Sequence, residues 1–550
     1  MSDLATKERS AKLSTTAVEQ ERTLAAIDIG TNSVHMVVVR IDPTLPAFTI
    51  IAREKDTVRL GERDPKTGNL TPAAMGRAIA ALQRCQELAK SFNAEQIVAV
   101  ATSAVREAPN GREFLQQVDS QLGLFVNLIS GQEEARRIYL GVLSGMEFNN
   151  QPHIIIDIGG GSTELILGDS HAPRSLSSTK IGAVRLTSEF ITTDPISERE
   201  FQYLQAYVRG MLERPVEDIL ANLEPMEKAR LVGTSGTIET LMALHAREKL
   251  GMVPNPLHGY QLSRRELKEI VKRLACMTCA ERAVIPGLSE RRSEIIVAGA
   301  VILLEAITLL GIESLILGER ALREGIIVDW MLSQGLIEDR LRFQGEVRQR
   351  SVLAVAQKYQ VNLESGERVA NFALSLFNQT KGYLHFWGIQ EQELLWAAAI
   401  LHNCGLYISH SAHHKHSYYL IRYGELLGFT ETEIDVIANL ARYHRRSVPK
   451  KKHENYSNLP NKQYRLLVRQ LSALLRLAVA LDRRQIGAIA QVRCDYRPEV
   501  KELHLRLVPT NPDDTCALEL WNLDYKKGVF EEEFGVKVVA TLESAAVMIS

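Results

Sequence analysis

Two short segments of the chain combine an aspartate, a glycine turn and a serine at identical spacing. Residues 27–33 and 156–162 both fit the pattern I-D-I-G-x-x-S, and each segment lies between two apolar runs. Glycine lets backbone N–H groups approach a phosphate closely, and the neighbouring hydroxyl groups add donors. Asp28 and Asp157, directly before the turns, suit Mg²⁺, which prefers oxygen ligands. The repeat favours phosphate binding with a divalent cation over two hairpin turns without a ligand.

A pair of glutamates lies in the next candidate segment, Ile129–Ile138. Ser130 and Glu133 fit the S-x-x-E pattern of a capping box, which predicts that a helix begins here. Glu134 has no such structural role. A carboxylate at this position can orient and deprotonate a water that attacks a bound phosphoryl group. Periodicity alone favours a plainer interpretation, a solvated glutamate near a helix N-terminus.

Two further loops have the composition of anion sites. Thr102–Arg106 follows a predicted strand, and the guanidinium of Arg106 can bind phosphate through two hydrogen bonds. Gly233–Thr237 follows an apolar run and opens a predicted helix, whose N-terminus favours anions. Each loop alone is a weak indication, because arginines in loops are usually solvated.

Basic residues and histidines concentrate in the C-terminal third of the chain. Residues 441–470 contain nine lysines or arginines and one acidic residue, Glu454, which fits either a solvated face or a surface that guides a polyanion. The residues predicted to guide a polyanion are Arg442, Arg445, Arg446, Lys450, Lys451 and Lys452. The histidines of residues 410–416 lack a familiar metal-ligand spacing, so phosphate binding or a core hydrogen-bond network is favoured over a metal site.

The elements that must position these residues belong to a globular protein with several domains. The 550 residues are 45% hydrophobic and 24% charged, with a formal net charge of −1 and six cysteines. This balance excludes a chain that is disordered throughout and a disulfide-rich secreted fold. Residues 1–23 lack the apolar core of a signal peptide, and the apolar run 295–304 is too short for a bilayer, so we expect a cytoplasmic protein without a membrane partner.

The order of the predicted elements narrows the fold class. Each repeat reads strand, glycine turn, strand, which excludes the strand, turn and helix of a Walker or Rossmann loop. Helices and strands then alternate to about residue 333, as in α/β layers. Helical segments dominate residues 345–488, and strand-like runs return near the C-terminus.

An ordered set of motifs resembles the exopolyphosphatase/guanosine pentaphosphate phosphohydrolase family. The motifs are AAIDIGTNSVHMVV, ATSAVREAPNG, ISGQEEAR, IIDIGGGSTEL, GTSGTIETL, PGLSERRSEIIVAGA and ALREGII. The resemblance is dense over residues 24–330 and continues more loosely to about 490. It implies duplicated α/β actin-like ATPase (RNase H-like) domains, an all-α HD-like domain and a small α+β C-terminal domain. The implied boundaries are 1–23 for a flexible N-terminus, 24–137 and 138–333 for the actin-like domains, 340–490 for the HD-like domain and 491–550 for the last domain.

The resemblance also implies roles for individual residues. Glu134 matches the family's catalytic base, which overturns the plainer interpretation above. Asp157 and Glu164 match carboxylates near the metal, and the repeat makes Asp28 a further metal candidate. The predicted phosphate-binding residues are Thr31, Asn32, Ser33, Arg106, Gly159, Gly160, Gly161, Ser162, Thr163, Ser235, Gly236 and Thr237. The implied cofactor is Mg²⁺, with Mn²⁺ as a substitute and a monovalent cation as an additional candidate.

The HD-like segment departs from a metal-dependent phosphohydrolase at two of its four ligands. Asn403 stands where the His-Asp pair needs an aspartate, and residues 364–367 hold no histidine where the first ligand is expected. Only His402 and Asp482 remain. Because a neutral amide is a poor substitute for a metal-binding carboxylate, we expect this domain to be catalytically silent.

The expected function is that of an exopolyphosphatase, which releases terminal orthophosphate from inorganic polyphosphate with Mg²⁺. The alternatives are removal of the 5′-γ-phosphate of guanosine pentaphosphate (pppGpp, giving ppGpp), a sugar or acetate kinase of the same fold, and a polyphosphate or nucleotide sensor without turnover. The expected partners are these substrates and a second copy of the chain in a homodimer, with no specific nucleic acid.

Overall fold

The computed structural model describes residues 21–43, 47–149, 151–337, 347–424 and 426–543. The first 20 residues of the predicted flexible N-terminus lie outside these ranges. The chain forms two compact units, residues 1–347 and 348–550, and each unit is described by itself.

The first sheet of the first unit joins an antiparallel meander to two parallel strands. Its strands and their helices are β1 (Arg22–Ile29), β2 (Val34–Asp42), β3 (Ala47–Asp56), α1 (Pro72–Ser91), β4 (Gln96–Ala101), α2 (Ser103–Arg106), α3 (Gly111–Leu122), β5 (Val126–Leu128) and α4 (Gly131–Leu143). The strand order is β3-β2-β1-β4-β5, and β4 and β5 run parallel to β1. The predicted loop Thr102–Arg106 contains the short helix α2.

The second sheet repeats this topology and adds one edge strand. Its elements are β6 (His153–Ile158), β7 (Thr163–Gly168), β8 (Pro173–Thr179), α5 (Ala183–Phe190), α6 (Glu198–Ala221), β9 (Arg230–Thr234), α7 (Ser235–Leu250), β10 (Gln261–Ser263), α8 (Arg264–Ala275), α9 (Cys279–Ala283), α10 (Glu290–Ser293), α11 (Ile296–Leu309), β11 (Ser314–Leu317) and α12 (Leu322–Ser333). The order β8-β7-β6-β9-β11 has the directions of β3-β2-β1-β4-β5, and β10 pairs antiparallel with β11. The two I-D-I-G turns are therefore equivalent hairpin turns in duplicated sheets.

The central strands and one apolar helix form the core of this unit. All six residues of β6 are buried, as expected for a strand that is covered on both faces. Helix α11 carries the apolar run and is buried from Ile296 to Ile307, so this run is a core helix. In the described part of the chain, no helix is long and apolar enough to cross a membrane.

Helices α4 and α12 cross with direct backbone contact at two glycines. An added Cβ at Gly325 would overlap the carbonyl of Arg137, and one at Gly141 would overlap the carbonyl of Ala321. Asp329 of α12 also pairs with Arg137 at 3.2 Å. Because the predicted catalytic base lies in the first turn of α4, this crossing sets its position.

We expect Gly325→Ala to lower the free energy of unfolding by about 1–3 kcal/mol, because the added methyl group must push two packed helices apart. The matched control is Gly210→Ala in α6, an exposed position with no atom within 4 Å of the added Cβ. This control should gain about 0.5–1 kcal/mol from the better helix propensity of alanine. Urea unfolding of the three proteins measures both effects. Equal stability of the two variants would contradict the close helix contact.

The second unit consists of a group of helices and a three-stranded sheet. Its elements are α13 (Val347–Lys358, beginning at the boundary), α14 (Leu363–Thr380), α15 (Ile389–Leu401), a 3₁₀ turn (Cys404–Tyr407), α16 (His413–Arg422), α17 (Glu431–Tyr443), α18 (Glu454–Ser457), α19 (Lys462–Leu481), β12 (Ile489–Arg497), β13 (Glu502–Pro509), α20 (Ala517–Lys526), α21 (Gly528–Phe534) and β14 (Lys537–Leu542). In the order β12-β13-β14, the first pair is antiparallel and the second parallel. Helices and strands share one hydrophobic core.

Candidate active site

The two glycine turns line a common cleft of about 340 Å³ in the first unit. The same hydrogen bond closes each turn, from Gly30 N to Ser33 O at 3.0 Å and from Gly159 N to Ser162 O at 2.9 Å. The sequence repeat is thus a repeat of backbone geometry. Both turns present backbone N–H groups and hydroxyl side chains, which are phosphate donors, at the same cleft.

Close approach of the turns depends on Gly161. A Cβ at this position would lie 2.6 Å from Ser103 Oγ and 2.7 Å from Thr31 Oγ1, so any larger residue would push the two repeats apart. The predicted site residues that line the cleft are Asp28, Thr31, Asn32, Ser33, Glu134, Asp157, Gly159, Gly160, Gly161, Ser162, Glu164, Ser235, Gly236 and Thr237.

Some of the predicted phosphate donors are used by the fold itself. Thr163 Oγ1 donates to Ile181 O at 2.7 Å and does not line the cleft. Ser235 lines the cleft, but its Oγ donates to Ile158 O at 2.9 Å. These hydroxyl groups stabilise the turns. The candidate donors to phosphate are therefore backbone N–H groups and the remaining hydroxyl and amide side chains.

Acidic residues occupy equivalent positions at the ends of the central strands. Asp157 and Glu164 are direct partners in the β6–β7 register, so two like charges lie side by side, a destabilising arrangement. The equivalent partners in the first repeat are Asp28 and His35. His35 Nε2 lies 2.7 Å from Ser33 Oγ, and burial followed by nearby cations lowers its pKa to about 3. The first repeat thus has a neutral imidazole where the second has a carboxylate.

Burial raises the pKa of every carboxyl group in this cluster. The pKa of Asp28 rises to about 6 and that of Asp157 to about 7, chiefly through desolvation. Desolvation and then the charge of Asp157 raise the pKa of Glu164 to about 8. The pKa of Glu134 lies well above its usual value through desolvation and the charge of Glu164, and Arg106 opposes this shift. Arg106 and Arg323 offset these shifts only in part, so the four buried carboxyl groups form a site that a cation would stabilise.

The cluster fits Mg²⁺ through an oxygen that has no protein donor. Asp28 Oδ1 is buried without a hydrogen-bond partner, which is costly unless a ligand contacts it. Among the described residues, no three His, Cys, Asp or Glu side chains are arranged to hold a metal ion by themselves. Mg²⁺ usually keeps several waters and uses one or two carboxylates together with substrate phosphates. The donors therefore suit a cation that binds with the phosphate.

Glu134 is held in place by Arg106. Arg106 Nη1 donates to Glu134 Oε2 at 3.1 Å and to Ile129 O at 2.8 Å. Glu134 is 7% exposed, so its carboxylate faces the cleft from a largely dry position. Arg106, predicted to contact phosphate, does not line the cleft and instead orients the predicted base.

The predicted capping box at the start of α4 forms only in part. Ser130 Oγ accepts from Glu133 N at 3.2 Å, so the helix begins where the sequence predicts. The Glu133 carboxylate, however, pairs with Arg136 and Arg137 at 2.8 Å rather than with the cap. Two adjacent arginines outcompete a backbone N–H for this carboxylate.

Three basic side chains, Lys55, Arg292 and Arg323, also line the cleft. We call them the basic wall; their charge is opposite to that of the carboxylates. None of the three forms an ion pair with the residues that the structure describes. Burial, then Arg292 and Arg323, lowers the pKa of Lys55, as expected for cations held close together. No role was predicted for these three residues from the sequence, although Arg292 and Arg323 lie in two of the family-like motifs. A lysine at the end of β3 carried no sequence signal.

The short helix α10, which carries Arg292, is held by the buried Arg282. Arg282 donates to Ser293 O at 2.9 Å and to Leu274 O at 3.1 Å. An added Cβ at Gly236 would overlap the Arg292 guanidinium. The glycine predicted to contact phosphate therefore makes room for the Arg292 side chain.

The residues predicted to guide a polyanion all lie in the second unit. The exposed members are Arg446, Lys450, Lys451 and Lys452. Arg442 packs over the Tyr418 ring at 5.5 Å, and Arg445 Nη1 lies 3.2 Å from His413 Nδ1. Only part of the basic stretch is therefore freely solvated.

Asp482, the acidic ligand that the HD-like pattern retains, is bound by protein donors. Its oxygens accept from Ser365 Oγ at 2.7 Å and from Arg368 Nε at 3.0 Å. Arg368 neutralises the carboxylate that a metal would need. The HD-like character and the catalytic silence of this segment stay predictions.

Two models of known protein families match the chain. The model of the Ppx/GppA phosphatase family matches residues 37–334, and that of Ppx/GppA phosphatase domain III matches residues 347–527. The chain belongs to the Ppx/GppA phosphatase family. It is accordingly a phosphoanhydride hydrolase, which confirms the resemblance found in the sequence.

Relatives and a solved structure extend the comparison. Two proteins called guanosine-5′-triphosphate,3′-diphosphate pyrophosphatase are similar: one from Pseudoalteromonas atlantica is 30% identical over 89% of this chain and 91% of its own, and one from Vibrio vulnificus is 32% identical over 84% and 87%. The crystal structure of an exopolyphosphatase from Cytophaga hutchinsonii is 26% identical, covers 57% of this chain and 98% of its own, and has a TM-score of 0.51. The predicted actin-like fold is thereby confirmed for the N-terminal domains.

We expect Glu164→Gln to stabilise the metal-free protein increasingly as the pH rises from 5 to 8. The unfolded wild-type chain releases the Glu164 proton near pH 4.5, but the folded chain holds it to about pH 8, where its pKa lies. The free energy of unfolding of the wild type therefore falls over this pH range, whereas the Glu164→Gln variant, which has no proton to release at this position, does not show this fall. The stability of the variant relative to the wild type should grow by roughly 3–4 kcal/mol between pH 5 and pH 8.

Urea unfolding in EDTA at several pH values measures this difference. Glu213→Gln, at an exposed position of α6, serves as the control and should show no trend with pH. A difference for Glu164→Gln that is independent of pH would contradict the buried, crowded position of this carboxyl group.

Proposed function

We propose that this chain is an exopolyphosphatase that hydrolyses the terminal phosphoanhydride bond of inorganic polyphosphate, with Glu134 as the general base. The observation that supports this proposal best is the composition of the cleft. Four buried carboxyl groups, two glycine turns and the basic wall of Lys55, Arg292 and Arg323 all line it, together with Glu239. The carboxyl groups suit a cation and a water, and the turns and the basic wall suit phosphates.

Substrate binding rests on the turns and the basic wall. Backbone N–H groups of residues 31–33 and 160–162 donate to the oxygens of the terminal phosphate. Arg292 and Arg323 neutralise the next phosphates, because guanidinium groups match phosphate oxygens in geometry and charge. Asp28 and Asp157 would hold Mg²⁺, and a bound Mg²⁺ would supply positive charge against the charge that develops on the transferred group.

Glu134 carries the chemical step. Its carboxylate, oriented by Arg106, accepts a proton from a water whose oxygen attacks the terminal phosphorus in line. The bond from that phosphorus to the bridging oxygen breaks, which releases orthophosphate and leaves a chain one phosphate shorter. The buried position of Glu134 strengthens its interaction with the water proton, since few solvent molecules compete.

The cleft favours polyphosphate over a nucleotide. No Phe, Tyr or Trp is found among the described residues that line it, so a guanine base has no aromatic ring to stack on there. Polyphosphate needs only repeated phosphate contacts. By itself, the exposed basic surface of the second unit, formed by Arg446, Lys450, Lys451 and Lys452, would bind a polyanion by counterion release.

The second candidate is hydrolysis of pppGpp to ppGpp. The relatives that match along both units are named for this class of nucleotide. The same base and the same terminal phosphate site would serve it. A sensor without turnover is set aside, because the chain belongs to a family of phosphoanhydride hydrolases. The measurements below separate the two remaining candidates.

The proposal also includes a cytoplasmic homodimer. A stacked pair on α20, Trp521 and Tyr525, is 61% and 77% exposed, with ring centroids 5.9 Å apart. Exposed aromatic side chains of this size are often covered by a protein partner. Light scattering of the purified chain tests the dimer.

We expect Glu134→Gln to lower kcat about 10²–10⁴-fold, because the amide cannot accept the proton of the attacking water. Binding of polyphosphate should persist. Orthophosphate release from long-chain polyphosphate and from pppGpp, measured side by side with Mg²⁺, gives both rates. The control is Glu133→Gln, the neighbouring glutamate that pairs with Arg136 and Arg137, which should keep most activity.

The relative rates on the two substrates distinguish the candidate functions. Faster release from polyphosphate supports the proposal, and faster release from pppGpp supports the second candidate. No release from either substrate would contradict both candidates. Full activity of Glu134→Gln would refute its assignment as the base.

We expect Arg292→Met to raise KM for polyphosphate about 10–100-fold with a smaller change in kcat, since it removes a charge-assisted phosphate contact. Arg291→Met is a matched control, because Arg291 is exposed and does not line the cleft. Steady-state kinetics of both variants at fixed Mg²⁺ tests this. An unchanged KM for Arg292→Met would exclude the basic wall from substrate binding.

A further inference from the structure

Ser33, the last residue of the first glycine turn, forms a hydrogen bond with a side chain of its own hairpin. Ser33 Oγ lies 2.7 Å from His35 Nε2, and both residues line the cleft. Within the described part of the chain, this is the only hydrogen bond of the Ser33 hydroxyl group and of the His35 ring. The direction of this bond decides whether the hydroxyl hydrogen is available to a ligand in the cleft.

The register of the first sheet places His35 between an acidic and a basic residue. His35 is the direct partner of Asp28 on β1 and of Lys55 on β3. Directly paired residues point to the same face of a sheet, so this row runs from a carboxylate through an imidazole to an ammonium group. Lys55 belongs to the basic wall. His35 therefore lies where the candidate cation-binding groups meet the candidate phosphate-binding groups.

The equivalent row of the second sheet has a different composition. By the same register it consists of Asp157, Glu164 and Ser178. Ser178 Oγ donates to Glu164 Oε1 at 2.7 Å. The Ser162 hydroxyl also hydrogen-bonds Glu164 and opposes the rise in the pKa of that carboxyl group. Because a carboxylate only accepts, Ser162 directs its one hydrogen at Glu164 and leaves only oxygen lone pairs for the cleft.

A bound phosphate would fix the direction of the bond between Ser33 and His35. Ionised phosphate oxygens only accept, so a hydroxyl group that contacts them must donate its single hydrogen to them. Ser33 Oγ can then only accept from His35. An imidazole meets this requirement when Nε2 carries the hydrogen, whereas the carboxylate that the second repeat has at this position has no hydrogen to donate.

We propose that His35 is a positioning residue for phosphate recognition: its Nε2–H donates to Ser33 Oγ, which commits the Ser33 hydroxyl hydrogen to the terminal phosphate. The difference between His35 and Glu164 then gives the two turns separate roles. The Ser33 hydroxyl donates to phosphate, and the oxygen of Ser162 is left to a cation or a water. This inference rests on the proposed function, because it requires the terminal phosphate to bind at the glycine turns.

Steady-state kinetics on polyphosphate with Mg²⁺ tests the coupling of the two residues. We expect Ser33→Ala and His35→Leu each to raise KM about 10-fold with a smaller change in kcat, since each removes the hydrogen bond to a charged phosphate or its support. The double variant should have the KM of Ser33→Ala alone, because His35 acts only through the Ser33 hydroxyl. Effects on KM that multiply in the double variant overturn the proposal.

Two further variants separate this role from a structural one. His35→Gln keeps an N–H donor near the position of Nε2, so its KM should return to within about 3-fold of the wild type. Ser162→Ala combined with His35→Leu is the matched control, and here the effects of the two substitutions should multiply. An equal rise in KM for His35→Gln and His35→Leu overturns the proposal, and so does equal coupling of His35 to both serines.

The tautomer of His35 provides a test that does not depend on turnover. In Glu134→Gln labelled with ¹⁵N-histidine and bound to tripolyphosphate, the ¹⁵N chemical shifts show which ring nitrogen carries the hydrogen. Comparison with the same protein carrying His35→Gln identifies the His35 signals. We expect the hydrogen on Nε2, and a hydrogen on Nδ1 alone overturns the proposal. Absence of orthophosphate release by the wild type would instead refute the proposed hydrolysis, so the two failures are distinguishable.

Discussion

Repulsion among buried carboxyl groups is the constraint on which the first unit depends. Asp157 and Glu164 are forced together by the register of one hairpin, and the equivalent hairpin brings Asp28 to the same cleft. Such a cluster is unfavourable in a protein without ligands, as the raised pKa values show. The fold holds it because two well-packed sheets leave these side chains no other position. A cation that binds together with a phosphate would relieve this repulsion.

The rest of the unit holds this cluster and its base in register. Glycines at the crossing of α4 and α12 bring two helices into backbone contact, which fixes the first turn of α4 and Glu134 with it. Arg106 then orients the Glu134 carboxylate. The short helix α10, held by a hydrogen bond from the buried Arg282, positions Arg292 in the basic wall. Each functional group is therefore set by a contact that is itself buried, as accurate positioning requires.

Sequence alone predicts the parts of this site that are encoded locally. The duplicated I-D-I-G turns follow from a visible repeat, and the family-like motifs point to Glu134. The pattern does not give the partners, because these depend on packing between distant segments. Arg106 contacts Glu134, and the Thr163 hydroxyl is used by the hairpin. Nothing in the sequence distinguishes Lys55 from other lysines; only the folded sheet places it at the cleft.

The position of substrate and cation relative to the carboxyl groups tests the account most directly. A crystal structure of Glu134→Gln with Mn²⁺ and tripolyphosphate would show both, since the variant should not turn over. We predict an anomalous manganese peak beside Asp28 and Asp157, with the terminal phosphate on the two glycine turns and the next phosphates against Arg292 and Arg323. A terminal phosphate bound away from the turns, or manganese away from these aspartates, would contradict the account.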